Sequence, residues 1–488
     1  MKGYSLIPEE LWPKYTLQLE NVHKLYDNFL AYIETAKDDK SSTPSDRVHY
    51  SVPVFHYFTV LRKAGLYERL FEVYNLLEAE GSELLTPQVY SSMFAHLSHR
   101  KALPSGMEGD VRHKSASDAR LIWRQMLRTF AKTGYEADAI LITHLIFCLS
   151  RGRPADQLFA FDIVRDYLGL VPPGEPAVQS KIPMHPYAFV SVLELCMASK
   201  KYALCIHYTL QMMEREPEMV DARTCEVALR ALASRSSMGT MAEASQALEI
   251  VEFLLREAAL SKHRSAQLWP TPSIYRAALA VCWRGGDWVT ATRLFELITR
   301  IDADSFLDGQ TPAKPPSARP GAAMDVSNMS LLVRTALASG VPAHMRQCLR
   351  MVDHIQLLDE LQPDAIASSN TKGLKLSLAE YNYYRGQYAF RLVSLINAVF
   401  KHNALVTEGK VEAGEDQYVI PEGEQRRWLS IRTEVTGYME ARPGWKLPTS
   451  VPFIERSQLG SAGQIAKAEE SVDNEMTNRH IKSAPAAS

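Results

Sequence analysis

Apolar residues recur along this chain at helical spacing in short stripes, most of which run into a residue that stops a helix. The clearest instance is residues 271–300, TPSIYRAALAVCWRGGDWVTATRLFELITR. From Tyr275, residues Ala278, Leu279 and Cys282 fall on one face of a 3.6-residue helix. Thr271 and Pro272 ahead of it supply an N-cap and a first-turn proline. Gly285 and Gly286 end it, because glycine adopts a left-handed cap without strain. A second stripe follows at Ala291, Leu294, Phe295 and Ile298. The pattern predicts a helical hairpin, and one hairpin cannot cover its own apolar faces.

The same spacing, an anchor followed by positions three, four, seven and eleven residues on, recurs six more times. Val54 leads to Tyr57, Phe58, Leu61 and Gly65, and Tyr90 to Met93, Phe94, Leu97 and Lys101. Leu141 leads to His144, Leu145, Cys148 and Gly152, and Phe189 to Val192, Leu193, Cys196 and Lys200. Cys225 leads to Ala228, Leu229, Leu232 and Ser236, and Met329 to Leu332, Val333, Ala336 and Gly340. A second amphipathic segment follows each, such as LYERLFEVYNLLEAEG after Gly65 or PADQLFAFDIVRDYLG after Gly152. Inserts such as LPSGMEGDVRHKS and LVPPGEPAVQSKIP fit between units, since loops of a repeat array disturb only their neighbours.

The stretches VFHYFTVLRKAGLYERLFEVYNLLEAEGSELLTPQVYSSMF and TPSIYRAALAVCWRGGDWVTATRLFELI resemble pentatricopeptide repeats. That unit has about 35 residues, a tyrosine-bearing first helix, a basic-Ala-Gly or Gly-Gly turn and an "A..lf..m" second helix. The resemblance covers roughly residues 50–360. A tetratricopeptide unit, with about 34 residues and a Trp-x-x-Leu-Gly signature, is the competing pattern, and that signature is not found. The expected fold is all-α: an α-solenoid, a right-handed superhelix of about seven helix-turn-helix repeats. Residues 51–361 form the array, 1–50 an N-terminal helical cap and loop, 362–455 a C-terminal helical cap and 456–488 a disordered tail. Within these, 37–50 reads as loop, 376–400 as a long helix and 422–441 as one further helix.

Composition supports a large core: 46% of residues are hydrophobic and 23% charged. The formal net charge is −2, so basic surface must come from how charges are arranged. No apolar run approaches the roughly 18 residues of a membrane span. The start, MKGYSLIPEELWPKYTLQLE, lacks signal-peptide character and an arginine-rich presequence. Two expectations follow, a cytosolic protein or a true start upstream. Four of the six cysteines follow the repeat register: Cys225 is an anchor, and Cys148, Cys196 and Cys282 share the seventh position with leucine and alanine, which marks a packed core site. There is no Cys-x-x-Cys pair and no metal-ligand spacing.

In repeat arrays the first helices line the concave binding surface. Here six of the seven end in cations: Arg62 and Lys63, Arg100 and Lys101, Arg151 and Arg153, Lys200 and Lys201, Arg235, and Arg284. The helix macrodipole favours cations there without any ligand. Stacking would also align them into a stripe that follows a phosphate backbone. The resemblance implies base reading by a polar side chain just after each anchor. Those residues are Phe55, Ser91, Ile142, Val190, Glu226, Arg276 and Ser330. Ser91 and Ser330 fit, Arg276 suits phosphate, and the apolar ones cannot hydrogen-bond a base, so contact of weak sequence specificity is expected. Arg426 and Arg427 beside Trp428 read more readily as a solvated helix face than as an RNA contact.

No phosphate loop, HExxH, nucleophile elbow, clustered aspartates or deaminase signature occurs, so the expectation is a non-enzymatic protein without cofactor or metal. The resemblance implies single-stranded or ribosomal RNA as partner, together with proteins of the mitochondrial small ribosomal subunit. It also implies a mitochondrial location and a role in RNA metabolism or translation. A helical-repeat protein–protein scaffold without RNA is the alternative.

Overall fold

The computed structural model describes residues 1–37, 44–79, 84–99, 108–235, 242–261, 268–310, 324–361, 378–411 and 416–441. The expected tail at 456–488 and much of the 362–455 cap lie outside them. The fold is all-α, and no strand occurs among the described residues. No helix among them is long and apolar enough to cross a membrane.

The chain divides into two compact units, Met1–Val220 and Asp221–Ser488. The first contains α1 (Lys2–Ser5), α2 (Thr16–Lys37), α3 (Pro44–Lys63), α4 (Tyr67–Ala79), α5 (Pro87–His99), α6 (Glu108–Thr133), α7 (Ala139–Ser150), α8 (Pro154–Leu168), α9 (Pro186–Ala198) and α10 (Tyr202–Arg215). The second contains α11 (Ala222–Arg235), α12 (Ala242–Leu260), α13 (Pro272–Gly285), α14 (Trp288–Thr299), α15 (Val326–Ser339), α16 (Pro342–Ile355), α17 (Leu378–Thr407) and α18 (Glu422–Glu440). In the first unit the anchor-bearing helices pack in chain order, α3 on α5, α5 on α7 and α7 on α9. In the second, α11 packs on α13, α13 on α15 and α15 on α17. The second helix of each hairpin packs back on its own first helix.

The sequence template explains this layering. Every anchor and every residue three, four and seven positions on is buried except His144, which is half-buried. Three first helices start on side-chain caps, where Asp138, Asp221 and Asp325 accept the backbone N–H of Leu141, Thr224 and Asn328 at 2.7, 2.8 and 2.7 Å, whereas Thr271 holds the N-cap position of α13 without a side-chain bond. The eleventh position is left-handed at Gly65, Gly286 and Gly340, with φ of 72°, 64° and 67°. Lys200 takes the same conformation at φ 57° despite its side chain.

Gly152 has another reason to be glycine. A Cβ there would meet Ala116 Cβ at 2.5 Å, so its hydrogen lets α7 close against α6. The N-terminal helix α2 docks through Tyr26, whose ring stacks on Tyr57 with centroids 3.9 Å apart.

One expectation fails. Residues 44–50, read as loop, are helical, because α3 begins at Pro44, where a missing N–H costs no hydrogen bond. Residues 38–43 lie outside the described part.

Candidate nucleic-acid interface

Among the described residues, most of the cations proposed to line a phosphate track are engaged within the protein. Three of them share one role. Lys63 Nζ donates to the carbonyl oxygens of Ser5 and Ile7 at 2.7 and 3.1 Å. Arg151 Nη1 donates to the carbonyl of Ser98, in the last turn of α5, at 2.8 Å. Arg284 Nη1 donates to the carbonyl of Ala233, in the last turn of α11.

The Arg151 and Arg284 bonds reach equivalent targets, since Ser98 lies eight residues beyond Tyr90 and Ala233 eight beyond Cys225. The last carbonyls of a helix have no intrahelical donor, and a cation from the next first helix fills that vacancy. The same pull of a helix C-terminus that places a cation at the end of its own helix here acts between neighbours. Arg151 also lies over the Phe147 ring, its Cζ 4.2 Å from the centroid.

The other candidates divide by unit. In the first, Lys201 Nζ sits 4.0 Å from the centroid of Phe161, a cation–π contact that half the proposed Lys200–Lys201 pair is using. Lys200 and Arg153 are exposed, and Arg62 is half-buried. Arg153 stands at the N-cap of α8, where its backbone N–H donates to Asp156 Oδ2 at 3.0 Å. Arg100 and Lys101 lie outside the described residues. In the second unit, Arg235 pairs with Glu243 at 3.5 Å. Arg276 donates to Ser327 Oγ at 3.4 Å and lies over the Tyr384 ring at 5.4 Å.

The two proposed base-reading serines lie inside the fold. Ser91 and Ser330 are buried. Ile142 and Val190 are buried at the same position, whereas Phe55, Glu226 and Arg276 are half-buried. Arg426 and Arg427 are exposed, as a solvated helix face requires, with Arg427 paired to Asp353 at 2.8 Å and Trp428 buried.

All six cysteines are free and buried, including Cys205 and Cys348, which lie on second helices outside the template. Burial pushes the Cys148 thiol up to about 12 and holds Cys196 and Cys282 well above the ordinary thiol value. These thiols stay protonated and act as core atoms.

Two features went unread in the sequence. The first is a buried charge knot on α16. Arg350 holds Glu424 with both ends of its guanidinium, at 2.7 and 2.9 Å, and Asp308 at 2.8 Å. One turn earlier, Arg346 binds Asp308 at 3.0 Å and Asp416 at 2.8 Å. The acids come from positions 38 to 74 residues away, a separation no local pattern reveals. Its complete pairing marks it as a brace that joins α16 to the segments at 308 and 416–424.

The second is the solvent face of α6, where Arg120, Arg124, Arg128 and Lys132 recur every fourth residue. That spacing is visible in RLIWRQMLRTFAK, but it falls on a second helix, whereas the expected binding surface of a repeat array lies on the first helices. No protein-family model matches the chain, and no curated protein matches it.

Proposed function

We propose that each unit is a segment of an α-solenoid of pentatricopeptide type. We propose further that the protein acts without catalysis, by binding RNA, in mitochondrial RNA metabolism or translation. The observation that carries this reading is the recurring hairpin. One template of burial and left-handed capping runs through first helices that pack on one another in chain order. Such an array offers an elongated surface suited to an extended ligand rather than a closed pocket suited to a small one. Apolar residues after three of the seven anchors, with Ser91 and Ser330 buried, support contact with the backbone over base-by-base reading. Ribosomal or messenger RNA, with proteins of the mitochondrial small ribosomal subunit alongside, is the partner class this reading implies.

The internal engagement of Lys63, Arg151 and Arg284 favours the second reading, a protein–protein scaffold. Retention of the full chain on immobilised RNA over a salt series separates the two. RNA binding predicts a linear fall of log affinity with log salt. No retention at low salt would remove RNA from the account and leave the scaffold.

A further inference from the structure

The C-terminal half of α6 carries a row of cations on its exposed face. From Ala119 to Thr133 it holds four cations and no acid. Ile122, Trp123, Met126 and Phe130 bury the inner face, which turns Arg124, Arg128 and Lys132 outward, all exposed. Several exposed arginines on other helices are matched by a carboxylate three or four residues away. Arg69 pairs with Glu72 at 3.1 Å, Arg293 with Glu296 at 2.9 Å and Arg426 with Glu422 at 2.9 Å. Arg124, Arg128 and Lys132 form no ion pair or hydrogen bond with another described residue. Their i,i+4 neighbours are each other, an arrangement that repels rather than stabilises an isolated helix. Only Arg120, at the inner end of the row, is paired, with Asp156 at 3.1 Å.

We propose that this row is a docking ridge for the phosphates of a single RNA strand. The assignment rests on the reading of the chain as RNA-binding and moves the contact from the ends of the first helices to the outer face of a second helix. Three arguments select the partner. Successive cations rise about 6 Å along the helix axis, a step that suits consecutive phosphates of an extended strand. The row is one helix wide, and the helices that meet α6 carry exposed carboxylates, Glu68 and Glu72 on α4 and Asp162 on α8. An anionic membrane or a duplex would press its charge onto those carboxylates, whereas a single strand would not. Two of the three outward cations are arginines, whose planar fork matches phosphate oxygens. Leu121 and Leu127 stand exposed beside the row and offer apolar contact to sugars and base edges.

The test is fluorescence anisotropy of the full chain with a labelled oligouridine of about 15 nucleotides over a salt series. The triple variant R124Q/R128Q/K132Q is expected to lower the slope of log affinity against log salt by about 2, at about 0.7 per lost contact. Affinity near 0.1 M salt should fall at least ten-fold, roughly the effect of three lost phosphate contacts. R128Q alone should lower the slope by about 0.7, which keeps the test intact if the triple variant folds poorly. R293Q, which removes an exposed arginine already paired with glutamate, should bind as the unaltered chain does.

Wild-type affinity and slope in the triple variant, with binding lost instead in R153Q/K200Q, would overturn the ridge and leave RNA binding standing. No binding by the unaltered chain at low salt would overturn both. Retention on polyglutamate equal to that on oligouridine would overturn the nucleic-acid assignment and identify an acidic protein surface as the partner.

Discussion

At the scale of single residues, position eleven of the template gives the cleanest test of the repeat reading. Glycine takes the left-handed conformation there in three hairpins, and Lys200 takes it in a fourth. An exposed lysine in that region carries strain of about 1 kcal/mol, so Lys200→Gly is expected to stabilise the protein by about 0.5–1 kcal/mol. Gly340→Ala should destabilise it by about 1 kcal/mol through backbone strain alone, because a Cβ there would meet nothing within 4 Å. Urea midpoints of the two variants should therefore move in opposite directions. Movement in the same direction would mean that the position is not a shared cap. The carbonyl-binding cations make a second residue-scale prediction. Arg284→Met removes a charged donor from the last turn of α11, and a loss of about 1–2 kcal/mol is expected. An unchanged midpoint would show that this guanidinium is available to a ligand after all.

At the scale of elements, legibility followed sequence distance. The first helices were readable because burial at three, four and seven residues from an anchor is a local consequence of helical geometry. The caps at Asp138, Asp221 and Asp325 were equally local. The start of α3 was not, since KDDKSSTPSDRVHY reads as polar loop until Pro44 is recognised as a first-turn residue. The brace on α16 was invisible because Arg346, Arg350, Asp308, Asp416 and Glu424 share no register and meet only in the fold. Its behaviour with pH follows from its charges. Burial alone would raise the Asp308 pKa, but the guanidiniums of Arg346 and Arg350 hold it below the ordinary carboxylate value. A depressed folded-state pKa gives stability that is complete above the unfolded value near 3.9 and is lost as pH falls through the lowered one. Asp308→Asn should cost about 2–4 kcal/mol at neutral pH, because two buried guanidiniums lose a shared counter-charge. The difference between variant and parent should shrink on acidification. A gap that stays constant from neutral pH to pH ~2 would show that Asp308 contributes through packing and not through charge.

At the scale of the whole molecule, a repeat architecture makes stability a sum of local terms, and the boundary between the two units tests this. Val220 is buried within the first unit, whereas Asp221 caps α11 in the second by accepting the Thr224 N–H at 2.8 Å. The division therefore falls between a residue that finishes one core and a residue that begins the next helix. Fragments 1–220 and 221–488 are each expected to show native helicity by circular dichroism and a cooperative urea transition, because each contains its own set of packed first helices. Moving the cut three residues on, to give 224–488, should leave the first unit unchanged and destabilise the second by about 1 kcal/mol, through loss of the Asp221 cap. If fragment 1–220 were unfolded in water while the full chain is stable, nearest-neighbour additivity would fail for this protein. Its hairpins would then have to be treated as one cooperative core rather than as a chain of repeats.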